Sequence, residues 1–165
     1  MNLRAYRLLL LSAVLAASPA LAADEPLEPY AVDGTPVVWT ANYAAALKQA
    51  QAEKRFVLLN FTGSDWCVWC HRLRDQVFVQ KPFLDYAAKH LVLVEVDFPR
   101  AKPQSDETKK QNAALDEKFG VSGYPTVILV DAEGRELGRT GYMQGGAKTF
   151  VRALKRFAAK AATPE

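Results

Sequence analysis

Two cysteines are present in this 165-residue chain, and they stand three apart, in Trp66-Cys67-Val68-Trp69-Cys70-His71. The apolar run Phe56-Val57-Leu58-Leu59-Asn60-Phe61 leads into them, so the pair sits where a buried strand hands over to a helix. A spacing of three lets both sulfurs meet within one helical turn. A helix N-terminus supplies partial positive charge, which favours thiolate over thiol and draws the pKa of Cys67 toward the range of about 3.5–7.5. The chemistry available to such a pair is reversible dithiol/disulfide exchange, in which a thiolate attacks a disulfide sulfur and a second thiol resolves the mixed disulfide. A purely structural bridge is the poorer reading, because so short a loop constrains the unfolded chain very little.

His71 opens a rival. Cys67-x-x-Cys70-His71 also fits the covalent attachment pattern of c-type haem, which would make the chain an electron carrier with His71 as axial ligand and Met143 or His90 opposite. Against it, no other segment is arranged as a haem pocket, and Trp69 would crowd the ring. A zinc site is weaker still, because two thiolates and an adjacent His fall short of four ligands. No metal or cofactor is therefore expected beyond the dithiol itself.

The elements that must position the cysteines follow from periodicity and turn chemistry. Tyr43, Ala46, Leu47 and Ala50 have helical spacing, with Thr40 or Asn42 opening a helix that ends near Lys54. Phe56–Phe61 is a buried strand. Thr62-Gly63-Ser64-Asp65 is turn-and-cap chemistry, with Asp65 read as the cap of a helix from about Trp66 whose apolar stripe is Trp69, Leu73 and Val77. Lys81-Pro82 interrupts this helix and a short one resumes to Lys89, with Pro82 in its first turn. Leu91–Val96 is a second buried strand. Ser105 caps a helix that stops at Gly120. Thr126–Val130 and Arg135–Arg139 form strands joined by a tight turn, and Phe150, Val151, Leu154 and Phe157 mark a closing amphipathic helix. Strands separated by helices predict parallel neighbours, and the last two strands an antiparallel pair. The fold class is α/β, a small mixed central sheet with helices on both faces.

The first 22 residues read as a secretory signal peptide. Arg4 and Arg7 form the positive region, Leu8–Ala17 the apolar core, and Ala20-Leu21-Ala22 the cleavage site. That core is about half the roughly 20 residues needed to cross a bilayer, so no permanent membrane anchor is expected. Residues 23–38 read as a flexible leader, 39–161 as the folded domain and 162–165 as a tail. The signal holds two of the 21 basic residues and none of the 18 acidic ones, which leaves the rest of the chain at a net charge of +1. Nothing in that balance points to nucleic acid. A periplasmic or secreted monomer is the expectation.

With these motifs placed, the chain resembles the thioredoxin superfamily. The strand into Cys67-Val68-Trp69-Cys70 and the segment Val121-Ser122-Gly123-Tyr124-Pro125-Thr126, which begins 54 residues after Cys67, carry the resemblance, and a terminal hairpin and helix complete it. It covers roughly Trp39 to Lys160. Phe61-Thr62-Gly63-Ser64-Asp65-Trp66-Cys67 and Val96-Asp97-Phe98-Pro99 are similar to secreted bacterial members, related to the thiol-reducing end domain of periplasmic disulfide-interchange proteins.

The resemblance implies that Cys67 is the exposed attacking thiol, Cys70 the shielded resolving thiol, and Pro125 a cis-proline preceded by Tyr124 facing the disulfide. From the residues themselves, Trp69 shares a stripe with Leu73 and Val77 and reads as core, and Trp66 as a partly exposed platform for apolar substrate segments. One position departs from the pattern. Asn60 stands where many thioredoxins hold a buried carboxylate, if the following turn carries a one-residue insertion; either Glu95, His71 or water then takes the proton of Cys70, or resolution is slower here.

The function expected is that of an exported thiol–disulfide oxidoreductase acting on disulfide- or thiol-containing protein substrates, in the reductase or isomerase direction. That direction needs an electron donor, for which a membrane reductase is the natural candidate. A non-catalytic thioredoxin-like binding module is disfavoured by intact Cys67, Cys70 and Pro125.

Overall fold

The computed structural model describes residues 31–32 and 35–161. The signal peptide read at 1–22, most of the leader and the 162–165 tail lie outside them. In order the elements are β1 (Ala31–Val32), β2 (Thr35–Pro36), β3 (Trp39–Thr40), α1 (Tyr43–Glu53), β4 (Phe56–Thr62) and α2 (Val68–Leu73). A π-helical turn (Arg74–Phe78) leads to α3 (Lys81–His90), β5 (Leu91–Asp97), α4 (Asp106–Phe119), β6 (Thr126–Val130), β7 (Glu136–Thr140) and α5 (Gly146–Lys160). β1 and β2 pair antiparallel, within the segment read as leader.

The main sheet has the order β3-β5-β4-β6-β7. β3, β5 and β4 run parallel, and β4–β6 and β6–β7 pair antiparallel. β4 and β5 sit at the centre and are buried on both faces, which is why each reads as an almost unbroken apolar run. One face carries Leu58, Leu93, Val127 and Leu129 under the π-helical turn, α3 and α5. The other carries Val57, Leu59, Phe61 and Val94 under α1 and α4.

The helix boundaries follow their local chemistry. Asn42 Oδ1 accepts the Ala45 N–H at 2.9 Å, and Ser105 Oγ accepts the Thr108 N–H at 3.1 Å. Gly120 closes α4 in the left-handed conformation with φ of 56°. Pro82 lies in the first turn of α3, where its missing N–H costs nothing.

Two expectations are corrected. β6 follows a helix yet runs antiparallel to β4. α4 does not carry the chain down the length of the sheet: Asn112 Nδ2 donates to the Asp97 carbonyl and Phe119 packs on Phe61, both at the carboxyl end of the parallel strands. The chain therefore re-enters the sheet from that same end, with Thr126 opposite Phe61. The second concerns Trp69, which is half exposed (50%) rather than in the core. The buried stripe is Cys70, Leu73, Val77 and Phe78, and Trp69 lies at its edge in the first turn, beyond the rim of the sheet.

Candidate functional site

The re-entry of β6 places Cys67, which follows β4, and Pro125, which precedes β6, at one end of the sheet. Such sheets gather ligand chemistry at the carboxyl ends of their parallel strands. Cys67 and Cys70 form a disulfide, with Cα atoms 5.2 Å apart. Cys67 is itself the N-cap of α2, and its Sγ accepts the Cys70 amide N–H at 3.2 Å. The cap expected of Asp65 is thus supplied by sulfur.

Asp65 faces the other way. Its carboxylate accepts the amides of Arg100 (3.0 Å), Ala101 (2.7 Å) and Lys102 (3.3 Å), which hold its pKa below the usual carboxylate value. Burial does not separate the two sulfur residues, at 5% and 6% exposed, so the expected contrast between an exposed Cys67 and a shielded Cys70 is absent in the disulfide form. Their difference lies in position on the helix.

The turn before Cys67 is pinned from β5. Asp97 accepts the Ser64 N–H at 2.8 Å and the Ser64 hydroxyl at 2.6 Å, and the Trp66 indole N–H donates to the Phe98 carbonyl at 2.8 Å. Gly63 is required for that indole: a Cβ there would lie 2.3 Å from the ring. His71 Nε2 donates to the Ser64 carbonyl at 2.8 Å. A carbonyl can only accept, so this nitrogen carries the proton.

Aromatic rings flank the disulfide on both sides. Trp66 meets Tyr124 edge-on at 5.8 Å, Tyr124 packs on Phe98 at 5.3 Å, and the Arg100 guanidinium covers the Trp66 ring at 4.3 Å. The Tyr124 hydroxyl donates to Asp116, and burial, reinforced by that carboxylate, pushes its pKa up to about 12. On the other side Trp69 rests on Tyr142 at 5.1 Å, with Arg72 over its ring at 4.7 Å. Val68 beside it is 62% exposed. The Tyr124–Pro125 peptide bond is cis. Gly141 approaches the Pro125 carbonyl so closely that a Cβ would lie 2.8 Å from it.

Tyr142 and Arg100 were missed in the sequence. Neither has a motif, and only the return of β7 and the loop after β5 bring them to the cysteines. Asn60 and Glu95, by contrast, lie side by side in the β4–β5 ladder, and both line a cleft of about 260 Å³ with Cys70 and His71. Burial and the neighbouring Asp97 raise the Glu95 pKa, against the opposing pull of Lys102 and Arg74.

The haem reading does not fit this geometry. His71 precedes the π-helical turn at the carboxyl end of β4, whereas His90 stacks on Tyr86 just before the amino end of the parallel strand β5, so the sheet separates them. Met143 packs against the core under α5. Among the described residues no group of three or more His, Cys, Asp and Glu side chains is placed to hold a metal.

A cysteine pair closed across a helix N-terminus, at the same end of a five-stranded mixed sheet as a cis-proline, defines a thiol–disulfide oxidoreductase of thioredoxin-like fold. The family described as Thioredoxin-like domain matches residues 43–158, and the chain belongs to it. It is 39% identical over 114 residues to the disulfide bond reductase DsbH of Chlamydia pneumoniae, an alignment covering 69% of each chain. It is 31% identical over 146 residues to the thiol:disulfide interchange protein DsbD of Klebsiella pneumoniae, covering 81% of this chain and 23% of that much longer one. The solved structure of a DsbH oxidoreductase superposes with a TM-score of 0.71 at 35% identity, covering 82% of this chain and 94% of that one. A thioredoxin from Thermus thermophilus, 22% identical with a TM-score of 0.56 over 74% of this chain and 87% of its own, shares the fold. Among the described residues no helix is long and apolar enough to cross a membrane.

Proposed function

We propose that the chain is an exported reductase or isomerase of protein disulfides, with Cys67 as the attacking thiol and Cys70 as the resolving thiol. The observation that carries this reading is the Cys67 Sγ seated on the Cys70 amide at the start of α2. After reduction the same N–H and the helix N-terminus stabilise a negative charge on Cys67. Cys70 lies inside the first turn, without that seat, and is placed to attack the Cys67 sulfur from behind once a mixed disulfide has formed. Trp66, Tyr124 and Pro125 would contact the substrate strand. Val68 and Trp69 add an exposed apolar edge to that surface.

The reductive direction is supported by the likeness to a protein named as a disulfide bond reductase, which this chain matches over most of both lengths. Export is supported by the pattern of residues 1–22. A reductant in an oxidising compartment needs its own electron supply, and a membrane-bound thiol donor fits the likeness to the interchange proteins.

The test is a pair of substitutions assayed on a disulfide-bonded protein. Cys67→Ser abolishes reduction, and Cys70→Ser accumulates a mixed disulfide between Cys67 and substrate, seen by mass analysis after acid quenching. An active Cys67→Ser protein would refute the assignment.

A further inference from the structure

The sheet face beneath Cys70 changes character toward the site. Leu58 and Leu93 pair across β4 and β5 and belong to the core under α3 and α5. Two residues on, the pair is Asn60 and Glu95, and then Thr62 and Asp97. Side chains along a strand repeat every two residues, so these polar pairs project from the same face as the leucines. That face bounds the cleft shared with Cys70.

Several groups around the cleft are already committed. Asp97 accepts two bonds from Ser64. His71 Nε2 holds its proton against the Ser64 carbonyl, which leaves Nδ1 as that ring's one acceptor, and Arg74 Nε donates to Asp75. Asn60 has no ionisable proton, and its buried Oδ1 has no protein partner among the described residues. An acceptor buried in this way beside a cleft is ordinarily satisfied by ordered water. The Glu95 carboxylate, unlike its ladder-paired backbone, forms no hydrogen bond or ion pair with the described residues. The charged and titratable groups facing it are Asp97 on its own strand, His71 from α2, Arg74 from the π-helical turn and Lys102 from the loop after β5; β4 and β3 offer only Asn60, Thr62 and Trp39.

We propose that Glu95 is the proton acceptor and donor for Cys70, reached through water in this cleft, in place of a carboxylate at Asn60. This rests on the assignment of Cys67 as the attacking thiol. Once Cys67 is joined to a substrate sulfur, the Glu95 carboxylate takes the Cys70 thiol proton through the intervening water. The Cys70 thiolate attacks the Cys67 sulfur, the Cys67–substrate bond breaks, and its electron pair leaves on the substrate thiolate. In the opposite direction the protonated Glu95 returns the proton to Cys70 as the Cys67–Cys70 bond opens. Burial and Asp97 bring the carboxyl closer to the thiol's own range, which suits proton transfer between them.

The test follows the reaction of the reduced whole chain with 5,5′-dithiobis(2-nitrobenzoate) by stopped flow. Release of the first nitrothiobenzoate reports attack by Cys67, and release of the second reports resolution by Cys70. Glu95→Gln, which keeps the shape and removes the ionisable group, is expected to slow the second release about a hundredfold near neutral pH, at the low end of what proton transfer contributes. The first release stays within about twofold, and the pH profile of the second moves to that of an unassisted thiol. Asn60→Asp in the Glu95→Gln background restores the second release by moving the carboxylate to the neighbouring strand. An unchanged second release, or an equal loss of both releases without rescue, would overturn the proposal. A wild-type protein that releases no first equivalent would instead sink the thiol assignment, and the Glu95 role with it.

Discussion

The indole of Trp69 rests against the ring of Tyr142, with centroids 5.1 Å apart and planes inclined at 47°, while half of the tryptophan stays open to solvent. Tyr142 is held in turn by its hydroxyl donating to Gln76 at 2.7 Å, so the exposed ring has a fixed backing one residue from Cys70. A large apolar surface kept rigid and solvated beside a reactive bond is suited to gripping a partner chain. Trp69→Ala is expected to raise KM for a disulfide-bonded protein severalfold, in line with about 0.5–1.5 kcal/mol for one aromatic contact, with kcat little altered. Exchange with glutathione, which is too small to span both rings, should fall less. Steady-state kinetics on the two substrates check this, and equal losses on both would contradict it.

Asp65 predicts an acid-sensitive loop. The amides of Arg100, Ala101 and Lys102 hold its folded-state pKa below the ordinary value of about 3.9. The stabilisation is therefore fully present above about pH 4 and drains away as the pH falls through the lower folded-state value. Asp65→Asn removes that dependence. Denaturant midpoints of the variant should vary less with pH below about 4 than those of the wild type, and parallel curves would count against the contact.

Gly63→Ala places a methyl group where the Trp66 indole now lies, 2.3 Å from the ring. The ring is tied by its N–H to Phe98 and flanked by Tyr124 and Arg100, so it cannot swing aside freely. Overpacking of this kind costs about 1–3 kcal/mol. Urea unfolding followed by tryptophan fluorescence would show a lowered midpoint with a changed native spectrum. A wild-type spectrum and midpoint would mean the ring is less constrained than its contacts indicate.

Arg55 offers a control far from the chemistry. It lies before β4, its guanidinium donating to the carbonyls of Ala87 and Leu91 and pairing with the exposed Glu53. Arg55→Met leaves the Leu91 carbonyl short of a partner and should cost about 1–3 kcal/mol of stability. Exchange rates per folded molecule should stay at wild-type values, because the residue sits at the opposite end of the parallel strands from Cys67.

How much was legible in advance follows from the range of each signal. The central strands were plain because double burial makes them continuously apolar, and the helix limits at Asn42, Ser105 and Gly120 are written in local cap chemistry. The cysteine pair and the Tyr124-Pro125 segment are likewise local. β3 is two residues long, too short for any periodicity to show. The direction of β6 depends on how α4 lies on Phe61, a packing fact with no sequence period. Trp69 shares helical spacing with Leu73 but lies past the sheet rim, where no partner layer exists to bury it. Asp65 is two residues before the N-cap and the amides that donate to it lie 35 or more residues away, so its position alone suggested the wrong task.

The central claim is that the Cys67–Cys70 pair serves reduction. Its reduction potential is the most direct test, measured by equilibrating the whole chain with glutathione at defined ratios, alkylating the free thiols and weighing the products. A reducing pair is expected to give a value of about −270 mV, the thioredoxin end of the scale. A value near about −120 mV, that of a disulfide donor, would contradict it.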